Sequence, residues 1–111
     1  MSSLISRGIV RDLTPEEVAR GLADGKIILV DVREPNETDL ERIPGAVLVP
    51  LSSFDMDEIP KPDGRVVVFS CRSGNRSVKA SELAQAAGLP YDSHLAGGII
   101  AWKAAGYPTE D

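Results

Sequence analysis

Cys71 is the only cysteine in the chain, and it opens the run Cys71-Arg72-Ser73-Gly74-Asn75-Arg76-Ser77, which follows the apolar segment Val66-Val67-Val68-Phe69-Ser70. A thiolate is a strong nucleophile, but a free cysteine with a pKa of about 8.5 is only about 3% ionised at pH 7. A downward shift of roughly two units would make it mostly thiolate and requires about 2.7 kcal/mol. The run holds the means. Gly74 adopts positive φ without steric cost and Asn75 tolerates it, so the loop can curl until successive N–H groups converge on one centre, an anion nest. The N-terminus of a following helix adds unpaired amides and the positive end of its dipole, and Arg72 and Arg76 add full charges. These features favour a nucleophilic Cys71 with no histidine base. The competing reading is a buried, inert cysteine acting as a small hydrophobe, for which a polar loop with two arginines is a poor setting.

The elements around the loop must form a site at the end of a strand. Ile27-Ile28-Leu29-Val30-Asp31-Val32 and Val66 to Ser70 are continuous, β-branched-rich runs, as expected for parallel strands covered on both faces. Ala46-Val47-Leu48-Val49 and Ser93-His94-Leu95 are further strand candidates, and Ile9-Val10 offers a short one. Thr14-Pro15-Glu16-Glu17 reads as a helix start with Thr14 as cap and Glu17 reaching back; Val18, Ala19 and Leu22 line one face and the helix stops near Gly25. Downstream of the loop, Ala80, Leu83, Ala84 and Ala87 predict a helical face from Val78, with Gly88 as its stop. Ser52 to Arg65 reads as a short helical turn and a solvated loop, its carboxylates forming a wetted edge. Strands alternating with helices predict an α/β sheet, in which the crevice beyond the carboxyl ends of the strands is the usual ligand site, and Cys71 falls there.

Composition narrows the function classes. The 111 residues carry 12 basic and 17 acidic side chains, a formal charge of −5, with 42% hydrophobic and 26% charged residues. That is the balance of a globular domain, large enough to bury on the order of 65% of the surface its open chain exposes. A net negative chain without a basic run is a poor partner for nucleic acid. Apolar runs of four residues are far below the roughly 18 needed to span a bilayer. Residues 1–7 have no secretory pattern, so a cytoplasmic location is the default expectation. One cysteine and one histidine do not make a structural zinc site, and no cofactor is expected.

Outside the loop, Asp31 and Arg33 end a buried strand and could position substrate; the simpler expectation is that Asp31 accepts from backbone amides and pairs with an arginine. His94 is expected to decorate a strand or an edge. Trp102, with Ile99 and Ile100, is at helical spacing for core packing, and Gly97-Gly98 permits close backbone approach at the turn before them.

From about residue 8 to residue 110 the chain resembles a single-domain rhodanese, a thiosulfate sulfurtransferase-like domain. The segments Leu29 to Pro35, Ile43-Pro44-Gly45-Ala46, Cys71 to Ser77, and Leu95-Ala96-Gly97-Gly98-Ile99-Ile100-Ala101-Trp102 with Gly106-Tyr107-Pro108 carry the resemblance. It implies one domain over residues 1–111, with a three-layer α/β/α architecture and a five-stranded, mostly parallel sheet. It further implies that Cys71 takes up a sulfane sulfur as a persulfide, from thiosulfate or another persulfide, and passes it to cyanide or a thiol. The amides from Arg72 to Ser77 would cradle that sulfur, while Arg72 and Arg76 would hold the anionic donor or brace the loop. A docking or sulfur-relay module serving a protein partner is the alternative. The family commonly has Gly-His before Ile-Pro-Gly-Ala, where this chain has Glu41-Arg42. Related cysteine phosphatases and arsenate reductases place five residues between cysteine and arginine; Cys71 and Arg76 enclose four, a tighter loop suited to a smaller guest than a phosphoryl group.

Overall fold

A computed structural model describes residues 9–111; residues 1–7, read above for a secretory pattern, lie outside them. The elements in chain order are β1 (Arg11–Leu13), α1 (Pro15–Ala23), β2 (Ile27–Asp31), α2 (Pro35–Thr38), β3 (Val47–Leu48), β4 (Val66–Ser70), α3 (Asn75–Ala86), β5 (Ser93–Leu95) and α4 (Gly98–Ala104), with 3₁₀ turns at Leu51–Ser53 and Met56–Glu58. The strands form one five-stranded sheet in the order β1-β5-β4-β2-β3, and every pair is parallel.

Alternation along the central strands divides the interior into two layers of apolar side chains. Ile28 and Val30 of β2 with Val67 and Phe69 of β4 pack on the face covered by Ala80 and Ala84 of α3. Leu29 and Val68 point to the opposite face, against Val18 of α1 and Ile99 and Trp102 of α4. The architecture is therefore three layers with helices on both sides of the sheet. The α1 start is a reciprocal cap: the Glu17 amide donates to Thr14 Oγ1 at 3.1 Å and the Thr14 amide donates to Glu17 Oε1 at 2.9 Å.

Several expectations need correction. The first strand is Arg11–Leu13, not Ile9-Val10: only Leu13 reaches the core, Asp12 is paired with His94, and Ile9 stays 82% exposed. Helix α3 begins at Asn75 rather than Val78, and it buries Ser77, Ala80, Ser81 and Ala84 while Leu83 and Ala87 face outward. Those four also recur at helical spacing, and the serines tolerate burial because their hydroxyls are bonded; Ser81 donates to the Tyr91 carbonyl at 2.7 Å. Ile100 is 48% exposed, so of the three residues expected to fill the core from α4 only Ile99 and Trp102 do. The short helix α2 has no apolar periodicity, but it repeats the Thr14-Pro15 logic in Glu34-Pro35, the Glu34 amide donating to Glu37 Oε1 at 3.0 Å.

The α4 entrance fixes the position of the Cys71 loop. Gly97 and Gly98 both have positive φ, 76° and 59°, and turn the chain so that the Ile99 and Ile100 amides donate to the Cys71 and Arg72 carbonyls at 2.9 and 3.1 Å. A Cβ on Gly98 would press on those two carbonyl oxygens. Gly98→Ala should therefore destabilise the fold by about 2 kcal/mol or more in urea titrations. Gly106→Ala, also at positive φ but with open space around the new Cβ, should cost only about 1 kcal/mol. Equal losses at the two positions would show that the backbone approach at Gly98 does not matter.

Candidate active site

The Cys71 side chain sits where β4 gives way to α3, at the carboxyl edge of the sheet. Gly74, at φ 104°, turns the chain sharply before α3. As a result the Gly74 amide donates to Cys71 Sγ at 3.1 Å and the Ser77 amide at 3.3 Å, and the Ser77 hydroxyl oxygen lies 3.5 Å away. The loop's donors face the sulfur while two of its carbonyls face α4, so one backbone path satisfies both sets.

Contrary to the expectation that a polar loop would not bury it, Cys71 is only 1% exposed and joins the apolar layer under α3. Burial pushes its thiol upward and is the largest single influence. The Ser77 hydroxyl and the amides of Ser77, Gly74 and Ser73 together outweigh it and hold the pKa below the ordinary cysteine value. The sulfur is thus shielded from water and met instead by fixed donors.

The two arginines part company. Arg76 makes a bidentate pair with Glu37 of α2, Nη1 to Oε1 at 2.7 Å and Nη2 to Oε2 at 2.9 Å, and so ties the start of α3 to the segment after β2. The Arg76 guanidinium draws the Glu37 carboxyl down from 4.5 to about 2 against a smaller upward push from burial, and the Glu34 amide assists. Arg72 is exposed and borders a surface cavity of about 280 Å³ together with Leu40, Glu41, Ile100 and Lys103. Ser73 and Asn75 are exposed, whereas Gly74 and Ser77 are buried.

Asp31 and Arg33, each 4% exposed, pair with one another as the simpler expectation had it, but neither bonds to Cys71. The Arg33 amide and Nε donate to Asp31 Oδ1 at 2.9 and 3.1 Å, and Nη2 reaches Asp31 Oδ2 and the Glu41 carbonyl, both at 2.8 Å. The pair thus fastens the turn after β2 to the segment bearing Glu41-Arg42. In the place of the usual Gly-His, Glu41 bonds Lys103 at 2.9 Å and Thr109 at 2.6 Å, and Arg42 forms an antiparallel bridge with Glu110. These two residues clamp the far end of the chain.

His94 is on a strand, one of the two places expected for it, and that strand is not at the sheet edge. It lies on β5, between β1 and β4, 4% exposed, with Nδ1 2.8 Å from Ser77 Oγ and Nε2 2.6 Å from Asp12 Oδ1. Neither His94 nor Asp12 stands out in the sequence as part of the site. The signal was the register: Asp12 and His94 are direct partners on β1 and β5, which only the strand order reveals.

The family model of the rhodanese-like domain matches residues 14–105. The chain belongs to the rhodanese-like domain family. Among relatives, a Synechocystis protein is 39% identical over 97 residues, 87% of this chain and 54% of that one, so this rhodanese-like chain spans about half of its length. A protein of Allochromatium vinosum named sulfurtransferase is 40% identical over 103 residues, 90% of this chain and 94% of that one. Among solved structures, a rhodanese-related protein from Thermoplasma volcanium has a TM-score of 0.77 at 27% identity, covering 90% of this chain and 97% of the other.

The Glu37 shift sets a pH window for the brace. Because its folded pKa is depressed, the stabilisation is complete above the ordinary value of 4.5 and is lost as pH falls toward about 2. Denaturant titrations of the wild type and Glu37→Gln should differ by a constant amount from pH 7 to 5 and converge between pH 4.5 and 2. A gap that is undiminished at pH 2 would show that the carboxylate's charge is not what holds Arg76.

Proposed function

We propose that the chain is a sulfurtransferase in which Cys71 carries a sulfane sulfur as a persulfide. The observation that carries this reading is the convergence of the Gly74 and Ser77 amides on Cys71 Sγ, at 3.1 and 3.3 Å. Membership of the rhodanese-like family and the name of the Allochromatium relative support the same chemistry.

In the first half-reaction the Cys71 thiolate attacks the outer sulfur of thiosulfate. A new S–S bond of about 2.05 Å forms, the sulfur–sulfur bond of thiosulfate breaks, and sulfite leaves with that bonding pair. In the second, cyanide or an acceptor thiolate attacks the terminal sulfur, leaving as thiocyanate or a new persulfide while Cys71 recovers its thiolate. The added sulfur bears the negative charge during the intermediate, so amide donors that favour the thiolate favour the persulfide also. Arg72, at the surface cavity beside the loop, is the residue suited to meeting a dianionic donor; Arg76 acts through its brace.

A relay reading, in which a carrier protein supplies or receives the sulfur, is favoured by one feature. Leu40 and Ile100, 77% and 48% exposed, border the Arg72 cavity and give it an apolar rim.

Intact-mass measurement after mixing with thiosulfate should show a gain of one sulfur atom, reversed by cyanide with release of thiocyanate. Cys71→Ser should fold and gain nothing. An unmodified wild type, or thiocyanate production by Cys71→Ser, would overturn the reading.

A further inference from the structure

The 1% exposure of Cys71 raises the question of how its proton leaves when thiol becomes thiolate. A continuous line of hydrogen-bonding groups runs outward from the sulfur. Ser77 Oγ is 3.5 Å from Cys71 Sγ, His94 Nδ1 is 2.8 Å from Ser77 Oγ, and Asp12 Oδ1 is 2.6 Å from His94 Nε2. The inner members are buried, whereas the Asp12 side chain is 75% exposed. We propose that His94, held by Asp12, is a positioning residue that carries the Cys71 proton to and from the protein surface through the Ser77 hydroxyl. This rests on Cys71 being the sulfur carrier.

The hydrogen-bond inventory of the three groups supports the assignment. An ionised Asp12 only accepts, so Nε2 carries a hydrogen toward it. Nδ1 then has two states. With the imidazole neutral, its lone pair accepts from the Ser77 hydroxyl, whose oxygen is left to accept the S–H of Cys71. With the imidazole protonated, Nδ1–H donates to Ser77 Oγ, and the freed hydroxyl hydrogen turns to the thiolate. Each state satisfies every group, and the bonds reverse as one unit.

The step balances without a further reactant. The S–H bond of Cys71 breaks and leaves its electron pair on sulfur; that proton joins Ser77 Oγ as the hydroxyl's own proton forms the new bond to His94 Nδ1. The products are a thiolate and an imidazolium whose outer N–H donates to the Asp12 carboxylate at the solvent edge; when that outer proton leaves to water the hydrogen taken from Ser77 stays on Nδ1, and a proton taken up at Nε2 restores the imidazolium for the return transfer. Among the described residues, the titratable groups facing the ring are Asp12 from β1 and, beyond Ser77 of α3, Cys71; the register partner on β4 is Phe69, and the loop presents the Gly74 backbone.

The test compares the wild type with Asp12→Asn, whose exposed site spares the core, and His94→Asn, which keeps a polar group near Ser77 but cannot titrate. Single-turnover sulfur loading from thiosulfate, followed by mass against pH, should be about tenfold slower at pH 7 in both variants, the change expected from one unit in the ionisation of Cys71. The thiosulfate concentration giving half-maximal loading should stay unchanged, and the pH profile should move upward. Nitrogen NMR of the wild type should show the His94 Nδ1 signal responding when Cys71 is alkylated with iodoacetamide. Wild-type loading profiles in both variants, or an Nδ1 signal indifferent to alkylation, would overturn the relay. A wild type that takes no sulfur from thiosulfate would instead count against the sulfur-carrier reading, and the NMR response would then decide the relay by itself.

Discussion

The structure depends on one unusual balance: a cysteine placed in the dry interior whose sulfur is nevertheless met by backbone N–H groups. Burial by itself would keep Cys71 protonated and inert. The Ser77 hydroxyl and the amides of Ser77, Gly74 and Ser73 outweigh that upward push and lower the pKa. These amides are fixed in place before any substrate arrives, so no reorganisation is required when charge develops on sulfur. The arginines expected from the sequence to add full charges beside the amides have other partners or positions: Arg76 is committed to Glu37, and Arg72 borders a surface cavity.

Much of the remaining architecture serves to hold that loop in shape. β4, central in the sheet, delivers Cys71 to the carboxyl edge. The α4 entrance receives the carbonyls of Cys71 and Arg72, which leaves the opposite side of the loop free to present donors. The Arg76–Glu37 pair joins the start of α3 to α2, and the buried Asp31–Arg33 pair joins the end of β2 to the segment around Glu41. A buried ion pair contributes little net stability, because the desolvation of both charges offsets their attraction, but it specifies geometry; breaking one partner leaves the other stranded. Here that specificity falls on the two segments flanking the loop.

The parts of this arrangement visible in the sequence were those governed by local rules. The β2 and β4 runs are apolar on both faces because helices cover both, and Thr14 and Glu17 form their cap within one turn, so neither needs tertiary information. The Cys71 loop was legible because a cysteine, a glycine and two arginines between a buried strand and a helix have few structural uses. What escaped was decided at a distance. β1 is stable as Arg11-Asp12-Leu13 only because β5 offers it a partner, and α3 buries Ser77 and Ser81 because their hydroxyls find hydrogen-bond partners contributed by β5 and the segment before it. The Asp12–His94 contact joins residues at opposite ends of the chain through the strand order β1-β5-β4, which no periodicity reports.

The central claim is that fixed donors lower the pKa of the Cys71 sulfhydryl in spite of its burial. The rate of Cys71 alkylation by iodoacetamide, measured across pH in the folded protein and in denaturant, tests it most directly. The account predicts a midpoint in the folded protein below the roughly 8.5 of an unstructured cysteine. A folded-state midpoint at or above the denatured one would contradict it, because burial would then have prevailed over the amides.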